Sequence, residues 1–199
     1  VANGLDTDFF RPAGGKPRDP HRLLFVGNTD DPKKGILYLL RAMDRLPEKV
    51  TLTIVDDGAP VKTYAPGLVR KLGLTRRVTF TGKVSPEDLR EQYIRAGATV
   101  VPSLYEGFGL PAAESMACGT PVVAARAGAL PEVVGENGTA VLVPPRDPQA
   151  LSRAVLELLE DGGRRKEMAR AARERVESLF SWRSVAERTV AVYEELTAI

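Results

Sequence analysis

Two glutamates, Glu106 and Glu114, flank a glycine-rich turn in SLYEGFGLPAAESMACGTPVV, residues 103–123. Gly107 and Gly109 lie between them, and Pro111 stands where a helix would open. Glycine lets the backbone turn sharply and lets a ligand approach it closely. The amides of Phe108, Gly109 and Leu110 would then be unpaired at the positive end of a helix, a setting suited to phosphate. A carboxylate accepting two adjacent hydroxyls is a common way to hold a ribose or another sugar. Glu106 precedes the turn and Glu114 lies about one helical turn beyond it, so both can face one crevice. Phosphate and polyol sites on one loop suggest a nucleotide sugar. A capping box would need Ser or Thr three residues before Glu114, and Pro111 occupies that place. For Glu106 the plainer reading, a solvated loop acid, stays open.

Short β-branched runs and helical patterns alternate around this loop. Strands are expected at residues 22–27 (RLLFVG), 50–55 (VTLTIV), 77–82 (RVTFTG), 98–102 (ATVVP), 121–125 (PVVAA) and 139–143 (TAVLV). Helices are expected over 35–46, around 66–72, from Ser85-Pro86-Glu87-Asp88, from Pro111 and near 130–134. Ser85 offers an N-cap, Pro86 an N1 proline, and the acids favour the first turn. Nearly all-apolar strands separated by helices imply an α/β fold, a doubly wound parallel sheet of six strands, Rossmann-like. Ligands in such folds sit beyond the carboxyl ends of the strands, so the loops after Gly27, Val55, Gly82, Pro102 and Ala125 are the candidates. Beyond the sheet the tail is helical. Leu151, Ala154, Val155, Leu158 and Leu159 form one apolar stripe. Trp182, Val185, Thr189, Val192 and Leu196 form another, which must dock on something. The basic run GGRRKEMARAARER between them reads as a solvated helix face with i,i+4 ion pairs.

The 199 residues carry 43% hydrophobic and 27% charged side chains, an ordinary globular composition. A net charge of +2 gives no argument for nucleic acid or a membrane surface as partner. No apolar run approaches the roughly 18 residues of a membrane span. One cysteine, Cys118, fits a reducing compartment and a small buried hydrophobe. With no export-leader pattern visible, the cytoplasm is the expected location. Other constellations carry less. Asp6-Thr7-Asp8 matches a metal-binding D-x-D string but lies outside any strand of a nucleotide-binding sheet. Asp30-Asp31 and Asp56-Asp57 read as turn residues. His21, the single histidine, has no nucleophile near it in sequence. Glu132 reads as a dipole partner at a short helix start, although the amides after Gly128 face the right end of the sheet.

Taken together, PSLYEGFGLPAAESMACGTPVV resembles the signature of retaining GT-B glycosyltransferases of family 4, the glycosyl transferases group 1, with its E-x7-E pair at Glu106 and Glu114. NGLDTDFFRP is similar to their inter-domain linker, and RLLFVGN…KKG to the first donor-domain strand and phosphate loop. RVTFTGKVSPEDL resembles the nucleobase segment, and FSW with Tyr193 the closing helix. The likeness extends over nearly the whole chain but only to the C-terminal, donor-binding half of a GT-B fold. It implies a linker over residues 1–20, a donor domain over 21–199 and an N-terminal domain absent from this chain, which would account for a start at Val1.

The resemblance also implies residue roles. Glu106 would be catalytic, beside the donor sugar and its hydroxyls. The loop of Gly107, Phe108, Gly109 and Leu110 would bind sugar hydroxyls and diphosphate through its backbone. Glu114 would accept the ribose hydroxyls, and the Lys83–Val84 backbone would meet the base. Lys34 matches the family lysine that contacts the diphosphate, with Lys33 the alternative because the loop is one residue longer than the usual pattern. Asn28 stands where the family usually carries Arg, so half of a cationic clamp is missing. VDDGAP replaces a Gly-Asp-Gly-Pro turn, keeping Asp57-Gly58. The expected activity is metal-independent transfer of a sugar from a nucleotide-diphosphate sugar to an acceptor hydroxyl, without a cofactor and without useful turnover by this half alone. A GT-B epimerase and a non-catalytic nucleotide-sugar binding module are the alternatives.

Overall fold

The computed structural model describes residues 3–13, 18–56 and 64–197; the Asp57-Gly58 turn falls outside them. Six parallel strands form one sheet: β1 (Asp19–Val26), β2 (Thr51–Val55), β3 (Val78–Gly82), β4 (Ala96–Val101), β5 (Val122–Ala125) and β6 (Val141–Val143). Their order is β3-β2-β1-β4-β5-β6, so the winding direction reverses between β1 and β4. The first strand starts earlier than its apolar run, because Asp19 pairs with Ala96.

Eight helices connect and cover the described strands: α1 (Ile36–Met43), α2 (Tyr64–Lys71), α3 (Pro86–Arg95), α4 (Leu110–Ala117), α5 (Leu130–Val134), α6 (Pro148–Glu160), α7 (Gly162–Phe180) and α8 (Trp182–Thr197). The Ser85 hydroxyl caps α3 by accepting from the Asp88 amide, 3.1 Å away. Side-chain alternation along the strands divides the core between the two faces. Leu23, Phe25, Leu52, Ile54, Ala98 and Val100 pack under α1, α2 and α6. On the other face Val101, Val122 and Ala124 pack with α4, α5 and α7, and Leu24 and Val55 with Tyr93 and Ile94 of α3.

The basic run is α7, and it carries the expected i,i+4 pairs, Arg170–Glu174 exposed and Arg173–Glu177 with a part-buried arginine. Its other side is buried through Met168, Ala172, Val176 and Phe180. Those four apolar positions recur at i, i+4, i+8 and i+12, a pattern masked in sequence by the charge between them.

The closing helix docks only by its first turns, against α7 and the N-terminal segment. Of α8 only Val185 is buried, while Trp182, Tyr193 and Leu196 are each more than 60% exposed. The N-terminal segment meets the start of this helix. The Leu5 amide donates to the Phe180 carbonyl at 2.7 Å, and the Trp182 amide to the Leu5 carbonyl at 3.2 Å. Gly4 lies against the Trp182 ring, where any Cβ would overlap the indole. The two segments that resemble a family linker and closing helix are thus physically joined.

Candidate functional site

The loops after β1 and β4 lead to helices on opposite faces of the sheet, which opens a crevice between them at the strands' carboxyl ends. On the β1 side, the Gly27 amide donates to the Val55 carbonyl, and the chain then turns through Asn28. The Asn28 side-chain oxygen accepts from the Asp30 amide at 2.9 Å, a local turn contact. Thr29 is anchored through its amide and hydroxyl to the buried Asp56 carboxylate. Asp56 therefore does more than terminate β2: it ties the first loop to the second strand.

Asp31 caps a 3₁₀ turn, Pro32–Lys34, by accepting from the Lys33 amide. That turn, which helical periodicity did not reveal, aims the two lysines differently. Lys33 is exposed, and its carbonyl accepts from the Leu104 amide at 2.7 Å. Lys34 turns inward, its Nζ 2.8 Å from Glu106 Oε1. Gly35 (φ 69°) lets the turn close on β4, because a Cβ there would strike the Pro102 carbonyl.

On the β4 side, Glu106 is buried and held from three directions. The buried Ser103 hydroxyl donates to Oε1 at 2.8 Å, and Lys34 donates to the same oxygen. The Ala129 amide donates to the Glu106 carbonyl at 3.0 Å, so that amide after Gly128 is already used. The Phe108 ring turns away and packs edge-on against Phe180, centroids 5.3 Å apart. Gly109 (φ 99°) caps α4 without any side-chain hydrogen bond. Among the described residues the amides of Phe108, Gly109 and Leu110 have no acceptor. Gly107 and Leu110 are exposed.

Glu114, in the second turn of α4, accepts a hydrogen bond from the Tyr93 hydroxyl of α3, Oε2 to Oη 2.7 Å. Burial raises its carboxyl to about 7, with the Tyr93 hydrogen bond pulling the other way. Lys83 and Val84, after β3, line a hollow of about 180 Å³ with Val26, Gly27, Val55, Asp56 and Leu89. The hollow lies at the ends of β1, β2 and β3, beside the first loop. Ser103 and Tyr93 are the site-forming residues that sequence reading missed. Ser103 had a signal, its place directly after a strand; Tyr93 had none beyond an apolar position in an amphipathic helix.

The remaining candidates lie elsewhere. The Asp6 carboxylate accepts from the Asp8 and Phe9 amides, so it shapes a turn in the N-terminal segment. His21 is near the start of β1, at the opposite end of the sheet, with its amide on Asp19. Cys118 is buried, and burial pushes its thiol up to about 12, as an inert core residue requires. Among the described residues no helix is long and apolar enough to cross a membrane.

Comparison with known proteins agrees with this architecture. The family model for glycosyl transferases group 1 matches residues 6–175. The chain is 40% identical, over its whole length, to the MMP alpha-(1->4)-mannosyltransferase of Mycolicibacterium hassiacum, of which it covers 48%. The sucrose-phosphate synthase of Thermosynechococcus elongatus superposes with a TM-score of 0.88 at 36% identity, covering 98% of this chain and 52% of that one. The C-terminal domain of a glycosyl transferase group 1 family protein (LpcC) from Francisella tularensis superposes with a TM-score of 0.79 at 25% identity, covering 90% of this chain and all of that one. The chain thus spans about half the length of the full enzymes it matches, and it belongs to the glycosyl transferases group 1 family, with the fold of the C-terminal domain of a GT-B enzyme.

Proposed function

We propose that the chain is the donor-binding half of a retaining glycosyltransferase that moves a sugar from a nucleotide-diphosphate sugar to an acceptor hydroxyl. The observation that carries this reading is the mouth of α4, where three unpaired amides lie between two glutamates, each held in place by a buried or part-buried partner. The diphosphate binds these amides and Lys34. As the glycosidic bond to the nucleotide breaks, negative charge grows on the departing phosphate, and donors already oriented there stabilise it most. The helix end and one ammonium supply this potential, so the reading needs no metal. Glu114 accepts the ribose hydroxyls, the Lys83–Val84 hollow takes the base, and Glu106 faces the sugar hydroxyls.

The acceptor pocket in this reading comes largely from an N-terminal half that the chain does not contain, and the exposed stripe of α8 is where that half packs. The isolated chain therefore binds donor and transfers nothing at a useful rate. Titration with UDP-, GDP- and ADP-sugars tests this: one base is expected to bind selectively, and binding by none would refute the reading. Sugar transfer by the chain alone would refute the division of labour.

One observation favours a second reading, a module that binds without transferring. Asn28 stands where a second cation is expected, and its side-chain oxygen serves a turn. Supplying a matching N-terminal half separates the two: transfer restored in trans supports the enzyme, and donor binding without transfer supports the module.

A further inference from the structure

Tyr93 is entirely buried, yet its hydroxyl reaches the Glu114 carboxylate of α4. A buried phenol needs a hydrogen-bond partner. It has one, Glu114 Oε2, at 2.7 Å. The rest of the residue is fixed from two further sides. Its carbonyl accepts from the Thr120 hydroxyl at 2.7 Å, and its ring meets Phe10 edge-on with centroids 6.2 Å apart. Thr120 is itself tied to α4, its amide donating to the Ser115 carbonyl and its carbonyl accepting from the Ser115 hydroxyl. Ser115 follows Glu114 directly, so α3 and α4 are locked together immediately beside the carboxylate. A flexible glutamate has three side-chain torsions to order before it can grip a ligand. Here the ordering is done in advance by the α3 phenol. Glu114 Oε1 has no partner among the described residues.

We propose that Tyr93 is a positioning residue of the donor site: its hydroxyl holds Oε2 of Glu114 so that Oε1 is presented to two vicinal hydroxyls of the ligand. The inference rests on the donor-binding reading above.

The surroundings make Glu114 the group that titrates here. The titratable groups facing it are Tyr93 on α3 and Cys118 at the end of α4. Burial holds the Tyr93 hydroxyl well above its ordinary range and the Cys118 thiol at about 12, so both stay protonated at neutral pH. Arg90 of α3, Arg173 of α7 and Arg18 stand around Cys118. The Tyr93 hydrogen bond favours the ionised carboxylate, and its removal shifts the Glu114 midpoint upward.

The test is calorimetric titration of the chain with UDP-, GDP- and ADP-glucose between pH 5.5 and 8.5, for wild type, Tyr93→Phe and Glu114→Gln. For the best-bound probe, wild-type affinity rises with pH through about 7. Tyr93→Phe, which keeps the buried ring, binds several-fold more weakly at pH 7, because less of Glu114 is ionised there and its torsions must be ordered on binding. Its pH midpoint also moves upward. Glu114→Gln keeps an acceptor for the phenol and loses the pH dependence. Equal affinity and midpoint in wild type and Tyr93→Phe would overturn the proposal, and so would weakened affinity with an unmoved midpoint, the mark of a purely structural role. Persistence of the pH dependence in Glu114→Gln overturns it as well, independently of how Tyr93→Phe folds. Failure of wild type to bind any of the three sugars removes the donor reading itself, and the proposal with it.

Discussion

Lys34 Nζ lies 2.8 Å from Glu106 Oε1, joining the turn after β1 to the loop after β4 across the point where the sheet reverses its winding. The lysine side chain is 27% exposed and the glutamate 10%, so water screens the pair only in part. An ammonium already paired with a carboxylate offers less potential to an incoming phosphate. Glu106 thus places a counter-charge on the lysine, and in the donor-binding reading it also turns a polar face toward the sugar.

Replacing Glu106 by Gln removes the counter-charge and leaves the shape. A nucleoside diphosphate without its sugar should then bind more tightly, by up to about fivefold if the pair is worth about 1 kcal/mol. The preference for the nucleotide sugar over the bare diphosphate should shrink. Competition binding reads both, and a diphosphate affinity that falls in Glu106→Gln would argue against a shared role for the pair.

Stability should depend on pH through Glu114. Its carboxyl titrates near 7 in the folded chain against an ordinary value of 4.5, so the folded state holds this proton more tightly than the unfolded one. The contribution is fully present below pH 4.5 and is lost as pH rises through 7, with a swing on the order of 3 kcal/mol. Wild type should therefore lose ground to Glu114→Gln in urea melts as pH climbs from 5 to 8. A gap that widens in wild type's favour over the same range would contradict the assignment.

Gly128 (φ 55°) touches the Glu106 backbone so closely that any Cβ would overlap its carbonyl. In Gly128→Ala the left-handed backbone is also strained, at about 1–2 kcal/mol. Melting should fall by several degrees and donor binding should drop with it, because the loop bearing Glu106 has to move. Unchanged donor affinity in a destabilised Gly128→Ala would show that the contact serves folding alone.

Arg173 of α7 spans three carbonyls, those of Thr7, Phe10 and Ala117, at 3.0, 2.6 and 2.7 Å. It pins the N-terminal segment to the end of α4, near the ring of Phe10 that supports Tyr93. Arg173→Met leaves these oxygens without their donor, a loss on the order of 3 kcal/mol. Hydrogen exchange should quicken at Leu5 and Phe10 more than in β1. Exchange that rises uniformly, or not at all, would mean the segment is held by its apolar contacts instead.

Much of the fold was legible because its signals are local. The Ser85-Pro86-Glu87-Asp88 start caps α3 as read, and the apolar run at 98–101 lies wholly inside buried β4. The helix start after Gly109, with its uncapped amides, was also legible, since Pro111 excludes a capping box. What stayed hidden depends on distance through space. Lys34 and Glu106 are 72 positions apart and Tyr93 and Glu114 are 21 apart, and no periodicity announces either pairing. Lys33 and Lys34 are aimed differently by a short 3₁₀ turn whose single cap, Asp31, reads in sequence only as a loop residue. The stripe on α8 is apolar as its periodicity predicts, but among the described residues only Val185 of it is buried.

In the proposed function, the unpaired amides at the mouth of α4 receive a diphosphate. Amide-resolved NMR titration of the chain with a nucleoside diphosphate tests it most directly, with the parent nucleoside as control. Large shifts are expected at Phe108, Gly109 and Leu110 with the diphosphate, little change there with the nucleoside, and a weaker response in Lys34→Ala. Shifts that leave these three amides untouched while others respond would contradict it.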